Sequence, residues 1–204
     1  MKIGIINTNS GNFFSLFKIL KDLECNYQVC LRANDIKHVD KIIIPGVGTF
    51  EKTMKFLNNQ SFTDEIKEQA ISKKKFLLGI CLGMQILFES SSEGLPISGL
   101  SLFNGKIINL KEKKCNNIIP HIGWNSISII KKNPVMKNIP NNTDFYFAHS
   151  FVIADAKKKI ISSTTDYDIK FISSVYLENI FGVQFHPEKS SNAGRILIKN
   201  FLDL

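Results

Sequence analysis

The residues of this chain that could do covalent chemistry centre on one cysteine. Glycines flank Cys81 in GICLG, residues 79–83, at the spacing of a nucleophile elbow. Such an elbow places the nucleophile on a tight turn, here before a helix predicted for residues 82–92, where unpaired backbone N–H groups favour a thiolate. The same turn aims the Leu82 N–H at a developing oxyanion. A lone cysteine can also be a small buried apolar residue, so the motif alone leaves both interpretations open.

A thiolate nucleophile needs a general base, and His186 has the most informative surroundings of the four histidines. It follows the apolar segment NIFGVQF and precedes Pro187 and Glu188. Proline favours extended backbone before it, and residues two apart in an extended chain face one side, so Glu188 can orient the imidazole. Taken alone, His186 could be structural. Together with the elbow it completes a cysteine, histidine and carboxylate arrangement.

A glycine-rich turn supplies a third element of possible chemistry. In IIIPGVG, residues 42–48, a strand is followed by Pro45, Gly46 and Gly48. The backbone N–H groups of such a turn can point at an anion, although an ordinary strand-to-helix turn explains the pattern equally well. The turn is predicted to lie at the carboxyl end of a strand beside the elbow strand, where ligands bind in open α/β sheets.

The elements that must position these residues alternate along the first half of the chain. Strands are predicted at 2–6, 27–31, 41–46 and 76–80, and helices at about 12–23, 50–58, 62–74 and 82–92. Continuous apolar strands between amphipathic helices indicate a mostly parallel sheet covered on both faces. After about residue 100, shorter β-branched and aromatic segments favour added antiparallel strands, and a helix closes the chain at 192–204. We expect one α/β domain over residues 1–204.

The composition and charge of the chain argue against metal-binding, membrane-bound and nucleic-acid-binding functions. The 204 residues carry four cysteines without a C-x-x-C pair, so we expect no metal and no cofactor. The chain start lacks a secretory signal and no apolar run is long enough to span a bilayer, which predicts a cytoplasmic protein with reduced cysteines and no membrane partner. The net charge of +8 comes almost entirely from scattered lysines. These are either solvated surface or a field that steers an acidic partner, and without a recognition motif they do not predict nucleic-acid binding.

Five segments together resemble the class I glutamine amidotransferases. They are PGVG, GICLGMQ, PHIGWN, YFAHSF and FHPEKS, and the resemblance covers nearly the whole chain. It implies that family's three-layer α/β fold. Within the family, the chain is most similar to the glutaminase subunits of imidazole glycerol phosphate synthase in histidine biosynthesis.

The resemblance implies a role for each matched position. Cys81 attacks the side-chain amide of glutamine, His186 protonates the leaving ammonia and Glu188 orients His186. The oxyanion is served by Gly46, Val47, Gly48 and Leu82. The substrate L-glutamine lies against Gly48, Gln85, Glu89, His149, Ser150 and Phe151. The partner interface includes Asn12, Trp124, Tyr146 and Lys189.

The implied partner is a synthase subunit with a (β/α)8 barrel, bound as a heterodimer. Ammonia must reach it by a sheltered route because ammonium in water is not nucleophilic. Two departures from the family stand in this sequence. NTNSGN replaces DYGxGN near the partner surface, which puts the pairing in doubt, and Phe151 replaces a usual tyrosine.

Three other functions are compatible with parts of the pattern. A glutaminase subunit could feed a sugar-modifying amidotransferase of surface polysaccharide synthesis, which the active-site motifs cannot separate. An α/β cysteine hydrolase or peptidase could use the same elbow, although Gln85 and the HPE segment favour glutamine. An inactive regulatory subunit is disfavoured by the intact cysteine, histidine and glutamate.

Overall fold

The computed structural model describes residues 1–9 and 13–204. The strands are β1 (Lys2–Ile6), β2 (Asn26–Cys30), β3 (Lys41–Ile44), β4 (Phe76–Ile80), β5 (Ser90–Ser91), β6 (Lys106–Asn109), β7 (His121–Ser126), β8 (Ser128–Ile129), β9 (Asp144–His149), β10 (Phe151–Ile153), β11 (Ile161–Tyr167), β12 (Ile169–Leu177) and β13 (Ile180–Val183). The α-helices are α1 (Phe14–Asp22), α2 (Phe50–Asn59), α3 (Phe62–Lys67), α4 (Leu82–Gln85) and α5 (Ser191–Leu202). No helix in these described ranges has both the length and the apolar character needed to cross a membrane.

The main sheet has eight strands among the described residues, in the order β2-β1-β3-β4-β13-β12-β11-β8. The pairs from β2 through β13 are parallel, and those from β13 through β8 are antiparallel. Strands β1, β3 and β4 are buried along almost their whole length, as expected of parallel strands covered on both faces. This architecture confirms the predicted parallel sheet with antiparallel additions.

Helices cover the two faces of the sheet with separate apolar cores. Leu16 and Leu20 of α1 and Phe201 of α5 pack with Ile3 and Ile5 on one face. Residues of α2 and α3 form the other core with residues of β3, for example Met54, Leu57, Ile66, Ile42 and Ile44. The four-residue spacing of Leu16 and Leu20 is the period that predicted α1, which spans Phe14–Asp22. Residue 12, where the predicted helix begins, lies outside the described residues.

The helix predicted for residues 82–92 is wrong in length, because α4 ends at Gln85. The next three residues are fully buried, so this segment has no polar face to expose. Their backbone carbonyls are occupied by a distant segment: Leu100 N donates to Ile86 O at 2.7 Å and Leu102 N to Leu87 O at 2.8 Å. Tertiary hydrogen bonds therefore replace those that would continue the helix.

Two other predicted elements divide in the structure. The helix predicted for 62–74 is α3 followed by a π-helical turn over Glu68–Ser72. The apolar segment at 145–153 splits at Ser150 into β9, which pairs with β7, and β10, which pairs with β6. The β7–β9 pair forms a separate two-stranded ribbon. This division at Ser150 places the ribbon beside the end of the main sheet where the candidate site residues lie.

Candidate active site

The cysteine and histidine of the predicted site meet because their strands are neighbours. Strand β4 pairs in parallel with β13, with Ile80 opposite Val183, so both chains leave the sheet at the same edge. Cys81 follows β4 directly, and its N–H donates to Val183 O at 2.7 Å. His186 follows β13 by three residues. Residues 105 positions apart in the chain, by subtraction of their numbers, are thus placed side by side.

Cys81 sits on the strained turn that the elbow motif predicts. Its backbone has φ 53° and ψ −110°, outside the regions that a non-glycine residue adopts without strain. The flanking glycines are required by close packing: a Cβ on Gly79 would lie 2.5 Å from Gly83 O, and a Cβ on Gly83 would overlap Ile44 O. The short helix α4 therefore rests directly on the ends of β3 and β4.

Glu188 reaches His186, although not along an extended chain. His186 itself is extended, with φ −101° and ψ 93°, as the following proline predicts, but Pro187–Lys189 form a turn of 3-10 helix. The contact joins Nδ1 of His186 and Oε1 of Glu188 at 2.7 Å. The turn is held by Ser190, whose hydroxyl donates to His186 O at 2.6 Å. Glu188 Oε2 is buried and has no hydrogen-bond partner in the part of the chain that the structure describes.

The protonation of His186 is set by two neighbouring side chains. Burial alone would lower its pKa, but the charge and hydrogen bond of Cys81, followed by the hydrogen bond and charge of Glu188, outweigh burial and raise the pKa to about 10. The imidazolium form of His186 is therefore favoured at neutral pH, and it places a positive charge beside the Cys81 sulfur. A thiolate is the nucleophilic form of cysteine.

The glycine-rich turn after β3 lies against the elbow. A Cβ on Gly46 would lie 2.5 Å from Gly83 N and 2.6 Å from Leu82 Cβ, so only glycine allows this approach. Gly48 has φ +119°, a conformation that side chains rarely adopt. The structure therefore brings the turn and the first residue of α4, both predicted to serve an oxyanion, to one place.

A cavity of about 250 Å³ opens over Cys81. It is lined by Gly46, Val47, Gly48, Cys81, Leu82, Gln85, Glu93, Pro120, Ile122, Ala148, His149, Ser150 and Phe151. Of the six positions expected to bind substrate, five line this cavity.

Glu89 is the position that does not line the cavity. Its side chain is exposed and accepts a hydrogen bond from Gly105 N at 2.8 Å. Glu93 supplies the carboxylate in the cavity instead. It accepts from Phe50 N at 2.7 Å, and burial raises its pKa. No local signal in the sequence distinguishes Glu93 from Glu89.

Two glutamine side chains connect the cavity wall to Cys81 by hydrogen bonds. Gln85 Nε2 donates to Phe151 O at 3.0 Å and to Gln184 Oε1 at 3.1 Å. Gln184 Nε2 lies 3.6 Å from Cys81 Sγ and donates to it. Gln184 was not among the predicted site residues, although its position two residues before His186 places it at the end of the same strand.

Three of the four predicted interface residues lie together: Trp124 and Tyr146 on the exposed face of the ribbon, and Lys189 beside Tyr146. The rings of Trp124 and Tyr146 meet edge to face with centroids 6.2 Å apart, and Lys189 Nζ lies 5.7 Å from the centre of the Tyr146 ring. Ile122, two pairs further along the ribbon and therefore on the same face as Trp124, lines the cavity. The fourth predicted interface residue, Asn12, lies outside the described residues.

Comparison with known proteins gives matches over nearly the whole chain. The family model described as "Glutamine amidotransferase class-I" matches residues 5–204. The chain is 39% identical to "Imidazole glycerol phosphate synthase subunit HisH 1" of Campylobacter jejuni, with 99% of this chain and 100% of that protein covered. It is 41% identical to "Imidazole glycerol phosphate synthase subunit HisH" of Pyrococcus furiosus, with 98% and 97% covered.

Solved structures match the fold at much lower sequence identity. A crystal structure of a glutamine amidotransferase aligns with a TM-score of 0.77 at 16% identity, covering 98% of this chain and 97% of that one. A crystal structure of another glutamine amidotransferase, from Thermotoga maritima, aligns with a TM-score of 0.62 at 14% identity, covering 100% and 83%.

Proposed function

We propose, since the chain belongs to the class I glutamine amidotransferase family, that it is the glutaminase subunit of an imidazole glycerol phosphate synthase in histidine biosynthesis. It hydrolyses glutamine to glutamate and ammonia and acts as one component of a complex. The single observation that carries the proposed chemistry is Cys81 in the lining of a cavity large enough for a small amino acid, with the hydrogen-bonded His186 and Glu188 beside it.

The proposed reaction passes through a thioester. The Cys81 thiolate attacks the side-chain amide carbon, and the resulting oxyanion is stabilised by N–H groups of the Gly46–Gly48 turn and of Leu82. His186 gives its proton to the leaving nitrogen, so that the C–N bond breaks and ammonia departs. Neutral His186 then takes a proton from water as the water attacks the thioester. Glutamate leaves, and the thiolate and protonated imidazole return.

Glu93 and Gln85 are proposed to bind the α-ammonium group of glutamine. Both amide hydrogens of Gln85 are used by the protein, which leaves its side-chain oxygen as an acceptor. Glu93 adds a carboxylate to the same cavity. An acceptor and an anion on one wall favour a cationic group.

The proposed partner is a synthase subunit with a (β/α)8 barrel, bound as a heterodimer. Large apolar side chains lie exposed around the cavity mouth and beside it: Ile122 is 61% exposed and Trp124 53%. A partner docked there would remove this surface from water and shelter the ammonia on its way to the acceptor. The proposal includes a cytoplasmic location, which the four cysteines without disulfides support.

A glutaminase assay tests the proposal. The purified chain is assayed alone, with the candidate barrel protein, and with that protein and its phosphorylated nucleotide substrate. We expect slow ammonia release from the chain alone and strong stimulation by partner and nucleotide. Equal turnover in all three conditions would contradict the coupling. Co-purification with a sugar-modifying amidotransferase in place of the barrel would contradict the pathway.

A Cys81→Ala variant separates catalysis from assembly. It is expected to bind the partner and to abolish glutamine-dependent synthesis. Synthesis from added ammonium salts should persist, because the acceptor active site belongs to the partner. Loss of both syntheses would contradict a role for Cys81 limited to ammonia release.

A further inference from the structure

Two buried histidines face each other across the ribbon and take no chemical part in the proposed reaction. The β7–β9 register makes His121 and His149 direct cross-strand partners. Nδ1 of His121 lies 3.1 Å from Nε2 of His149, so one ring donates a hydrogen bond to the other. Both side chains are almost fully buried, so their nitrogens depend on protein partners.

At the His121 end of this pair, the Asn125 side chain fixes which atom donates the hydrogen bond. The Asn125 side-chain nitrogen donates to Asp166 O at 2.9 Å, and its oxygen accepts from Ser126 N at 2.8 Å. If the amide oxygen and nitrogen were exchanged, the oxygen would face the Asp166 carbonyl oxygen and the nitrogen would face the Ser126 N–H. Neither contact would then be a hydrogen bond, so these contacts fix the amide orientation. The same nitrogen lies 3.4 Å from Nε2 of His121, which therefore accepts.

The second end is fixed by a backbone carbonyl. Nδ1 of His149 lies 3.0 Å from Phe151 O, which can only accept, so this nitrogen carries a proton. Burial lowers the pKa of His121 to about 4, and burial together with the proximity of His121 lowers that of His149 to about 3. Each ring is therefore neutral at pH 7 and holds a single N–H. In both rings that N–H is on Nδ1.

The packing of His121 keeps the ring in this orientation. It stacks against Tyr167 and Phe147, with ring centroids 3.9 and 4.8 Å apart. A partial rotation of the ring would break both stacking contacts, and a 180° flip would keep them but lose both hydrogen bonds.

We propose that His121 is a positioning residue for the glutamine cavity, which holds His149 in the Nδ1–H tautomer and thereby fixes the carbonyl of Phe151. This inference rests on the proposed function, because it assigns the fixed carbonyl a purpose in glutamine binding. The carbonyl of Phe151 also accepts from Gln85. A His149 ring with its proton on Nε2 would turn a lone pair toward that carbonyl and disturb the anchor of Gln85.

The same contacts extend to the nucleophile. Gln85 donates to Gln184, and Gln184 donates to Cys81 Sγ. The hydrogen bonds therefore run without interruption from Asn125, next to the exposed Trp124, to the reacting sulfur. A displacement of the ribbon would therefore act on the cavity through this series of hydrogen bonds.

Nitrogen NMR of the full chain tests the tautomers directly. The chain contains only four histidines, and the ring signals of each are assigned by triple-resonance spectra of the isotope-labelled, unaltered chain. We expect long-range proton–nitrogen spectra at neutral pH to show protonated Nδ1 and unprotonated Nε2 for both His121 and His149. A protonated Nε2 on either ring overturns the proposal. This readout does not depend on catalysis, so it separates failure of this inference from failure of the proposed function.

Kinetics of a matched pair of variants test the positioning role. His121→Phe keeps the stacking ring but removes the donor, and His121→Asn returns an N–H near the position of Nδ1. We expect His121→Phe to raise the KM for glutamine about tenfold with kcat changed less than about twofold, and His121→Asn to recover most of that loss. The same KM in His121→Phe and wild type overturns the role. If His121→Phe does not fold, as judged by thermal unfolding, the tautomer measurement on the unaltered chain decides.

Discussion

His186 is buried beside a thiol group and a carboxylate, and these two neighbours decide its protonation. Because they raise its pKa to about 10, the imidazolium required as general acid persists through neutral pH. Activity that needs this proton should hold at neutral pH and fall as the pH rises through about 10. The proposed general acid therefore carries its proton before substrate arrives.

A Glu188→Gln variant tests this account of His186. It keeps a hydrogen-bond acceptor at the carboxylate position but removes the negative charge, so the pKa of His186 should fall. We expect the alkaline limb of kcat/KM to move to lower pH in profiles recorded from about pH 6 to about pH 11 with the partner present. The exposed Glu178, which pairs with Lys74, provides the control Glu178→Gln. An alkaline limb in the same place for both variants would contradict the role of Glu188.

Glu93 and Glu89 form a natural matched pair for glutamine binding. Glu93 lines the cavity and Glu89 lies exposed outside it. We expect Glu93→Gln to raise the KM for glutamine about 10- to 100-fold, since a hydrogen bond to a charged group contributes about 1.5–3 kcal/mol. Glu89→Gln keeps the acceptor for Gly105 and should leave KM within about twofold. A larger effect from Glu89→Gln would return the substrate-binding role to that residue.

At the scale of elements, the site is built where the ends of β3, β4 and β13 meet the short helix α4. The pairing of β4 with β13 places Cys81 and the segment of His186 at one edge of the sheet. The turn after β3 packs on α4 so closely that glycine is required at both contact points. The geometry of the elbow is thus set by contacts between elements as well as by its own backbone.

Gly83→Ala tests that packing against a matched control. A Cβ on Gly83 would overlap the backbone oxygen of Ile44, which cannot move alone, whereas a Cβ on Gly182 would meet the flexible Met84 side chain at 2.5 Å. We expect Gly83→Ala to lower the free energy of unfolding by about 3 kcal/mol and Gly182→Ala by about 1 kcal/mol. Urea unfolding of both variants provides the measurement. Equal losses would show that the contact with Ile44 relaxes without cost.

At the scale of the whole molecule, the cavity mouth and the exposed face of the ribbon form one continuous surface. Ile122 and Ala148 are paired across the ribbon and both line the cavity, and Trp124 and Tyr146 are the next pair on that face. The opposite face of the ribbon carries the paired histidines. A partner on the exposed face would therefore lie over both the cavity and the hydrogen-bond chain beneath it.

Trp124→Ala should weaken binding of the barrel protein by about 2–4 kcal/mol, the range typical of a large aromatic residue central to an interface. The stability of the free chain should change little, because the side chain is 53% exposed. Titration calorimetry measures the affinity. Ile71 is 51% exposed before β4, at the sheet end opposite Cys81, so Ile71→Ala is the control and should bind normally. Similar losses in both variants would place the interface elsewhere.

The sequence by itself determined the element types and the motifs that carry the proposed chemistry. Apolar period and strand composition predicted the parallel sheet, because those features depend on residues close together in the chain. The glycines around Cys81 and the proline and glutamate after His186 identified the proposed triad for the same reason.

Only the tertiary structure decided the length of α4, the position of Glu93 and not Glu89 in the cavity wall, and the contacts of Gln184 and His121. Each depends on groups distant in sequence: amide groups near Leu100 end the helix, and β9 supplies the partner of His121. Such contacts are fixed by where backbones lie in space, and a local sequence pattern does not contain that information. Motifs therefore identified the proposed reacting groups, while packing determined which residues contact them.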